Sequence, residues 1–246
     1  MTTMPETPVA LLHGVGLDST MWGPVRDALK RDSVAIDLPG HGRQEALTRP
    51  ASLADLAADV LDRLPQTSHL VGFSLGALIA QYIARFHPDR VETLTCVSSV
   101  CHRTEAESQA VLARLAAAES DFAATVEASI DRWYTGTSVP REVVEATRRT
   151  LAANDVASFV HAYRVFAVGD AVIGPELAHI NVPTLAVTGE LDPGSTPEMT
   201  RRLAEAIPGA KSLVVPGSRH MLPVQDADVL AGAINDFIQE SEGERA

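Results

Sequence analysis

Three residues in this chain are of the types that nucleophilic chemistry needs, in a usable order: Ser74, Asp192 and His220. A serine hydroxyl is a weak nucleophile by itself. It needs a base within hydrogen-bond reach, and the base needs a carboxylate to fix its tautomer. Ser74 lies in Gly72-Phe73-Ser74-Leu75-Gly76, with an apolar run over 68–73 leading in and a helical run over 77–86 leading out. A serine at such a strand-to-helix turn is held in a strained backbone conformation with its hydroxyl presented outward. Its neighbours must be nearly free of side chain for the chain to pass, and glycines at 72 and 76 meet that need. The helix that starts there aims its free N–H groups at the same spot.

After such a serine, the acid and then the histidine should follow along the chain. Asp192, in Gly189-Glu-Leu-Asp192, follows one apolar run, and His220, in Ser218-Arg-His220, follows the next. Their spacing is about one strand–helix–strand unit. Glu190 is two positions from Asp192 and is expected to point elsewhere. Other histidines compete weakly. His41 sits between glycines in a tight turn, His69 stands at the wrong end of its strand, and His87, His161 and His179 fall on helix ends or in a helical segment. His13 belongs to a turn before the serine, and His102 opens the helical segment near the site; both are kept as candidates for contact with substrate. A tetrahedral intermediate would carry a negative oxygen that needs donors. The backbone N–H groups of Leu75 and of Val15, in the turn Gly14-Val15-Gly16, are the candidates.

These residues need elements to position them. Apolar runs at 8–12, 33–38, 68–73, 91–97, 182–188 and 211–215 read as buried strands. Helical segments separate most of them. Residues 18–30 carry Trp22, Val25 and Leu29 on one face, and Ser52 with Asp55 reads as a capping box before an amphipathic run. Thr196-Pro197 starts another helix, and residues 226–239 form a closing one before a tail, 240–246, expected to fray. Six strands alternating with helices predict an α/β fold with a mostly parallel sheet covered on both faces. Ligands then bind beyond the carboxyl ends of the strands, where Ser74, Asp192 and His220 all fall. Between 101 and 178 the alternation stops, and helices are expected near 104–118, 121–134, 140–153 and 155–168. We therefore expect a core of residues 1–100 and 179–246 with an inserted helical lid at 101–178.

Composition narrows the class. The 246 residues suit one large domain with an insertion. Hydrophobic content of 46% and a mean hydropathy of +0.05 suit a soluble globular protein. A net charge of −12 without a Lys/Arg cluster argues against nucleic acid and anionic membranes as partners. The first eight residues lack the features of a secretory signal, and no apolar run reads as membrane-spanning. Cys96 and Cys101 lack metal-ligand spacing and are too few for a disulfide framework, so a reduced cytoplasmic protein is the expectation. No metal cluster or dinucleotide fingerprint appears, so no cofactor is expected. Oligomeric state stays open.

Taken together, His13-Gly-Val-Gly16, Asp37-Leu-Pro-Gly-His-Gly42, Gly72-Phe-Ser-Leu-Gly76, Asp192 and His220 resemble the α/β-hydrolase superfamily over nearly the whole chain. Within it, Arg132-Trp-Tyr134 and residues 154–170 are similar to the lid of 3-oxoadipate enol-lactonases. The first hundred residues resemble carboxyl-methyl-ester esterases of the biotin pathway. The resemblance implies hydrolysis of a small ester or lactone and a helical cap, and it divides on substrate. The same groups would also serve C–C or amide cleavage or a lyase step, and a non-catalytic receptor is a third reading.

Three departures from the superfamily stand out. Only seven residues precede Pro8, so the usual antiparallel edge hairpin is expected to be missing. Ala77 replaces a common glycine. Arg219 precedes His220 where a small residue is usual, and it is expected to point to solvent. In the lid, Trp133, Tyr134, Phe159, Tyr163 and Phe166 read as lid core rather than pocket lining, with Trp133 kept as a substrate-binding candidate. Arg132 and Arg164 are candidates to hold a substrate carboxylate, against the alternative of solvated or salt-bridged arginines.

Overall fold

The computed structural model describes residues 6–244. Six strands form one sheet: β1 (Val9–Leu12), β2 (Ser33–Ile36), β3 (Ser68–Phe73), β4 (Val91–Val97), β5 (Thr184–Gly189) and β6 (Lys211–Val215). Their order is β2-β1-β3-β4-β5-β6. Every pairing is parallel, and no antiparallel hairpin borders β2 among the described residues. The central strands are buried along their length because helices cover both faces, which is why they read as unbroken apolar runs.

On one side α1 (Gly23–Ala28), α9 (Leu222–Gln225) and α10 (Ala227–Gly243) pack together. Packing also joins α2 (Leu53–Arg63) to α3 (Leu75–Phe86), while α8 (Pro197–Ala206) lies against β5 and β6. The capping box at α2 forms: the Ser52 hydroxyl accepts from the Asp55 N–H, and the Asp55 carboxylate accepts from the Ser52 N–H at 2.8 Å. Such a cap contributes about 1 kcal/mol. Thr196 caps α8 with Pro197 at the first helical position.

Four helices occupy the stretch between β4 and β5: α4 (Glu105–Ser120), α5 (Phe122–Tyr134), α6 (Arg141–Ala152) and α7 (Val156–Ile173). They begin and end within a few residues of the expected positions, except that α7 runs on. With its 3-10 continuation, Val156–His179 is long and apolar enough by length and composition to cross a membrane, contrary to the sequence reading. Here it packs on α3 and α4 instead, with Phe159, Ala162, Phe166 and Ile173 buried. The tail differs too. Helix α10 continues to Gly243, because Ser241 is buried and donates to the Phe237 carbonyl, and Glu242 pairs with Arg31 at 2.5 Å.

Candidate active site

The chain reverses the direction in which it adds strands at β1, with β2 on one side and β3 on the other. This switch point opens a crevice beyond the carboxyl ends of the strands. Leu12 stands opposite Gly72, so the Gly14-Val15-Gly16 turn after β1 lies beside the turn after β3. Ser74 occupies that second turn with φ 55° and ψ −112°, a region costly for any side-chain-bearing residue. The glycines around it are there for space. A Cβ on Gly72 would lie 2.2 Å from the Gly76 carbonyl oxygen, and one on Gly76 would lie 2.4 Å from that of Leu12. The Leu75 N–H opens α3 and has no intrahelical acceptor.

Strands β5 and β6 supply the acid and the histidine. Asp192 Oδ2 sits 2.7 Å from His220 Nδ1, and Asp192 Oδ1 accepts from the N–H groups of Gly194 and Ser195, each at 2.9 Å. The Asp192 side chain is fully buried. Burial alone would raise its pKa, but His220 and the two N–H donors outweigh it and hold the carboxyl below its ordinary value. With Nδ1 donating to the carboxylate, Nε2 of His220 is left as the acceptor. Two aromatic rings lie against the imidazole, Phe73 at 5.0 Å and tilted by 48°, and Trp133 at 5.8 Å and 26° from parallel. Ser98 anchors the backbone by donating to the His220 carbonyl at 3.2 Å.

Ser74, Asp192, His220 and Val15 line one small cavity of about 40 Å³ with Arg114, Arg132, Trp133, Tyr163 and Phe166. Ser74 Oγ makes no hydrogen bond among the described residues. A nucleophile–base bond is often long without substrate and tightens when it binds. Glu190 turns away, as expected, and accepts from the Gly217 N–H.

Several sequence candidates lie elsewhere. His13 is fully buried and serves backbone groups: Nδ1 donates to the Gly14 carbonyl at 2.7 Å, and Nε2 accepts from the Leu38 N–H at 2.8 Å. Burial, with the neighbouring His41, pushes its pKa down to about 3, so it stays neutral. His102 is exposed and rests against Gly174, away from the cavity. Arg164 pairs with Glu119 at 2.6 Å on the outer face of α7. Of the aromatics on α5 and α7 expected to form the interior of the inserted helices, Trp133, Tyr163 and Phe166 line the cavity as well as being buried, whereas Tyr134 and Phe159 do not line it. Arg219 does not reach for solvent. Its Nη2 donates to the Arg132 carbonyl at 3.1 Å, tying the histidine loop to α5.

Sequence reasoning missed Arg114, the N–H pair of Gly194 and Ser195, and the contacts that Phe73 and Trp133 make with His220, although Trp133 was already a substrate-binding candidate. Gly194 follows Pro193 in a turn, and that was the one readable sign of the N–H pair. The others depend on which helix turn meets which loop.

The geometry can be set beside known proteins. A family model described as the alpha/beta hydrolase family matches residues 9–233. An (E)-2-((N-methylformamido)methylene)succinate hydrolase of Acinetobacter baylyi is 29% identical, over 94% of this chain and 90% of its own length. A pimeloyl-[acyl-carrier protein] methyl ester esterase of Yersinia enterocolitica is 30% identical, over 96% of this chain and 95% of its own. The crystal structure of the enol-lactonase from Burkholderia xenovorans superposes with a TM-score of 0.86 at 25% identity, covering 97% of this chain and 94% of that one. With the sheet, the serine turn and the loops after β5 and β6 all inside a match that runs nearly end to end, this chain belongs to the alpha/beta hydrolase family.

Proposed function

We propose that this hydrolase cleaves a small carboxylic ester or lactone through an acyl-enzyme on Ser74. The observation that carries the reading is the 2.7 Å contact between Asp192 and His220 in the cavity that both share with Ser74. His220 Nε2 takes the Ser74 proton as Oγ bonds to the carbonyl carbon. The carbonyl electron pair moves to oxygen, where the Leu75 and Val15 N–H groups hold it. Each such donor is worth about 10²–10³ in rate. Collapse breaks the carbon–oxygen bond, and the leaving alkoxide takes the proton from His220. A water, deprotonated by His220, then attacks the acyl group, and as the acyl–Oγ bond breaks His220 returns that proton to Ser74 Oγ. In a lactone the leaving alcohol stays tethered to the acid.

The esterase and enol-lactonase names among the relatives support this bond type. Arg132 faces the cavity and supports a substrate carrying a carboxylate. In the same reading residues 101–178 act as a lid on a core of 1–100 and 179–246. The protein works in the cytoplasm, a compartment that suits Cys96 and Cys101, both free and buried. A fluorophosphonate probe tests the proposal. Ser74 should be labelled, and Ser74→Ala should abolish labelling and lower kcat by about 10⁴–10⁶. Folded wild-type protein that resists the probe, or a loss below tenfold, would reject the acyl-enzyme.

A further inference from the structure

Two arginines enter the cavity from different helices, Arg114 from α4 and Arg132 from α5. Of the other arginines in these four helices and the stretch before them, Arg103 pairs with Asp170, Arg148 with Glu127 and Glu145, and Arg164 with Glu119. Arg141 and Arg149 on α6 form no ion pair among the described residues and line no part of this cavity. Arg114 and Arg132 form no ion pair among the described residues. Their hydrogen bonds go to neutral groups. Arg114 Nε donates to the Tyr163 hydroxyl at 3.3 Å, and Arg132 Nη2 donates to Ser129 Oγ at 3.1 Å. Burial and the charge of Arg114 both work against the Arg132 cation, while Tyr163 and Asp192 favour it. Asp192 is already engaged with His220. Two mutually repelling, partly buried cations are therefore held together at one wall, in a protein of net charge −12.

The wall they form has a second side. Arg114, Arg132 and Tyr163 also line a hollow of about 230 Å³ between α4 and α5, walled by Ala117, Ala124 and Ala128. The cavity on the Ser74 side is far smaller, about 40 Å³. So small a space beside Ser74 favours a short acyl chain over a long one.

We propose that Arg114 and Arg132 together form a carboxylate subsite. The substrate class is then a half-ester or lactone of a short dicarboxylic acid. Two guanidinium forks suit the planar anion. This inference rests on the ester or lactone reading above and adds what is recognised.

Its test uses monoethyl glutarate and monoethyl sebacate beside the diethyl esters, with acid release followed by titration. Glutarate binding is measured separately by calorimetry. In wild-type protein, kcat/KM for monoethyl glutarate should exceed that for diethyl glutarate at least tenfold, and the preference should shrink for sebacate. Arg114→Gln should cut the preference at least tenfold, mainly through KM, and weaken glutarate at least tenfold. Arg114→Lys should recover part of both. Circular dichroism checks that each variant folds. Equal rates on mono- and diethyl glutarate with no glutarate binding would overturn the subsite while leaving the ester reading intact. Glutarate binding that depends on Arg114, in a protein that cleaves none of the esters and resists the probe, would keep the subsite and sink the ester reading.

Discussion

Gly76 shows how closely single residues are specified around Ser74. The atoms that a methyl group there would meet are the Leu12 and His13 carbonyl oxygens at 2.4 and 2.6 Å, and backbone cannot swing aside as a side chain can. Gly76→Ala should therefore destabilise the protein by more than about 2 kcal/mol. The measurement is a lowered urea midpoint with an unchanged slope; a wild-type midpoint would show that the turn yields. This part of the site was legible in the sequence, because Gly-x-Ser-x-Gly states a local steric requirement in five letters. Asp192 and His220 were legible for a related reason, since each directly follows an apolar run and chain order does the rest. Arg114 was not. It is one of several charged residues on α4, and nothing local says which turn of that helix faces Ser74. Arg219 was misread because its acceptor, the Arg132 carbonyl, is a backbone atom 87 positions away.

At the level of elements, polar links join the four inserted helices to each other and to the rest of the fold, such as Asn154 to the Gly16 carbonyl, Ser158 to the Gly40 carbonyl and Glu107 to Arg202, and one ion pair among them is deeply buried. Arg103, just before α4, pairs with Asp170 on α7, with side-chain exposures of 3% and 8%. The same arginine donates to the Phe166 and Ala167 carbonyls and lies over the Phe166 ring at 4.8 Å. It thereby sets the position of a helix whose Tyr163 and Phe166 line the cavity. Removing one partner strands the other charge away from water. Asp170→Ala should cost about 3–5 kcal/mol, while Arg103→Met with Asp170→Leu should cost much less. Equal losses in the single and double variants, by denaturant titration, would show that the pair matters for shape rather than charge. The helices themselves were readable from their periodicity. The apolar length of Val156–His179 was underrated because Ser158, His161, Arg164 and Asp170 interrupt it, and three of those four find partners within the fold.

Over the whole molecule, buried histidines tie stability to pH. Burial holds His13 at a pKa of about 3 and His41 at about 4, both from an ordinary 6.5. Below pH 6.5 the unfolded chain takes up protons that the folded protein refuses, so stability falls as pH drops toward those values. Asp37 adds a later loss. Burial favours its neutral form, but hydrogen bonds from Ser19 and Arg43 prevail and lower it to about 2, so its contribution disappears between about 3.8 and that value. Unfolding free energy should drop by about 2–4 kcal/mol between pH 7.5 and pH 5. A urea midpoint constant over that range would contradict neutral burial of the two rings. The overall architecture was the most readable level, since six apolar runs separated by helices admit few arrangements. A mostly parallel sheet was to be expected from the sequence, but not the order β2-β1-β3-β4-β5-β6, because a crossover of one hand can add the next strand on either side.

The two aromatic walls beside the His220 imidazole come from different parts of the chain, Phe73 from the sheet and Trp133 from the inserted helices. A chimera that grafted another protein's helical insert onto this sheet would replace one wall, and with it the carbonyl that anchors Arg219. In the proposed mechanism, such a graft would alter the setting of the imidazole that moves the proton as well as the choice of substrate. Recognition and reactivity would then not be separable modules.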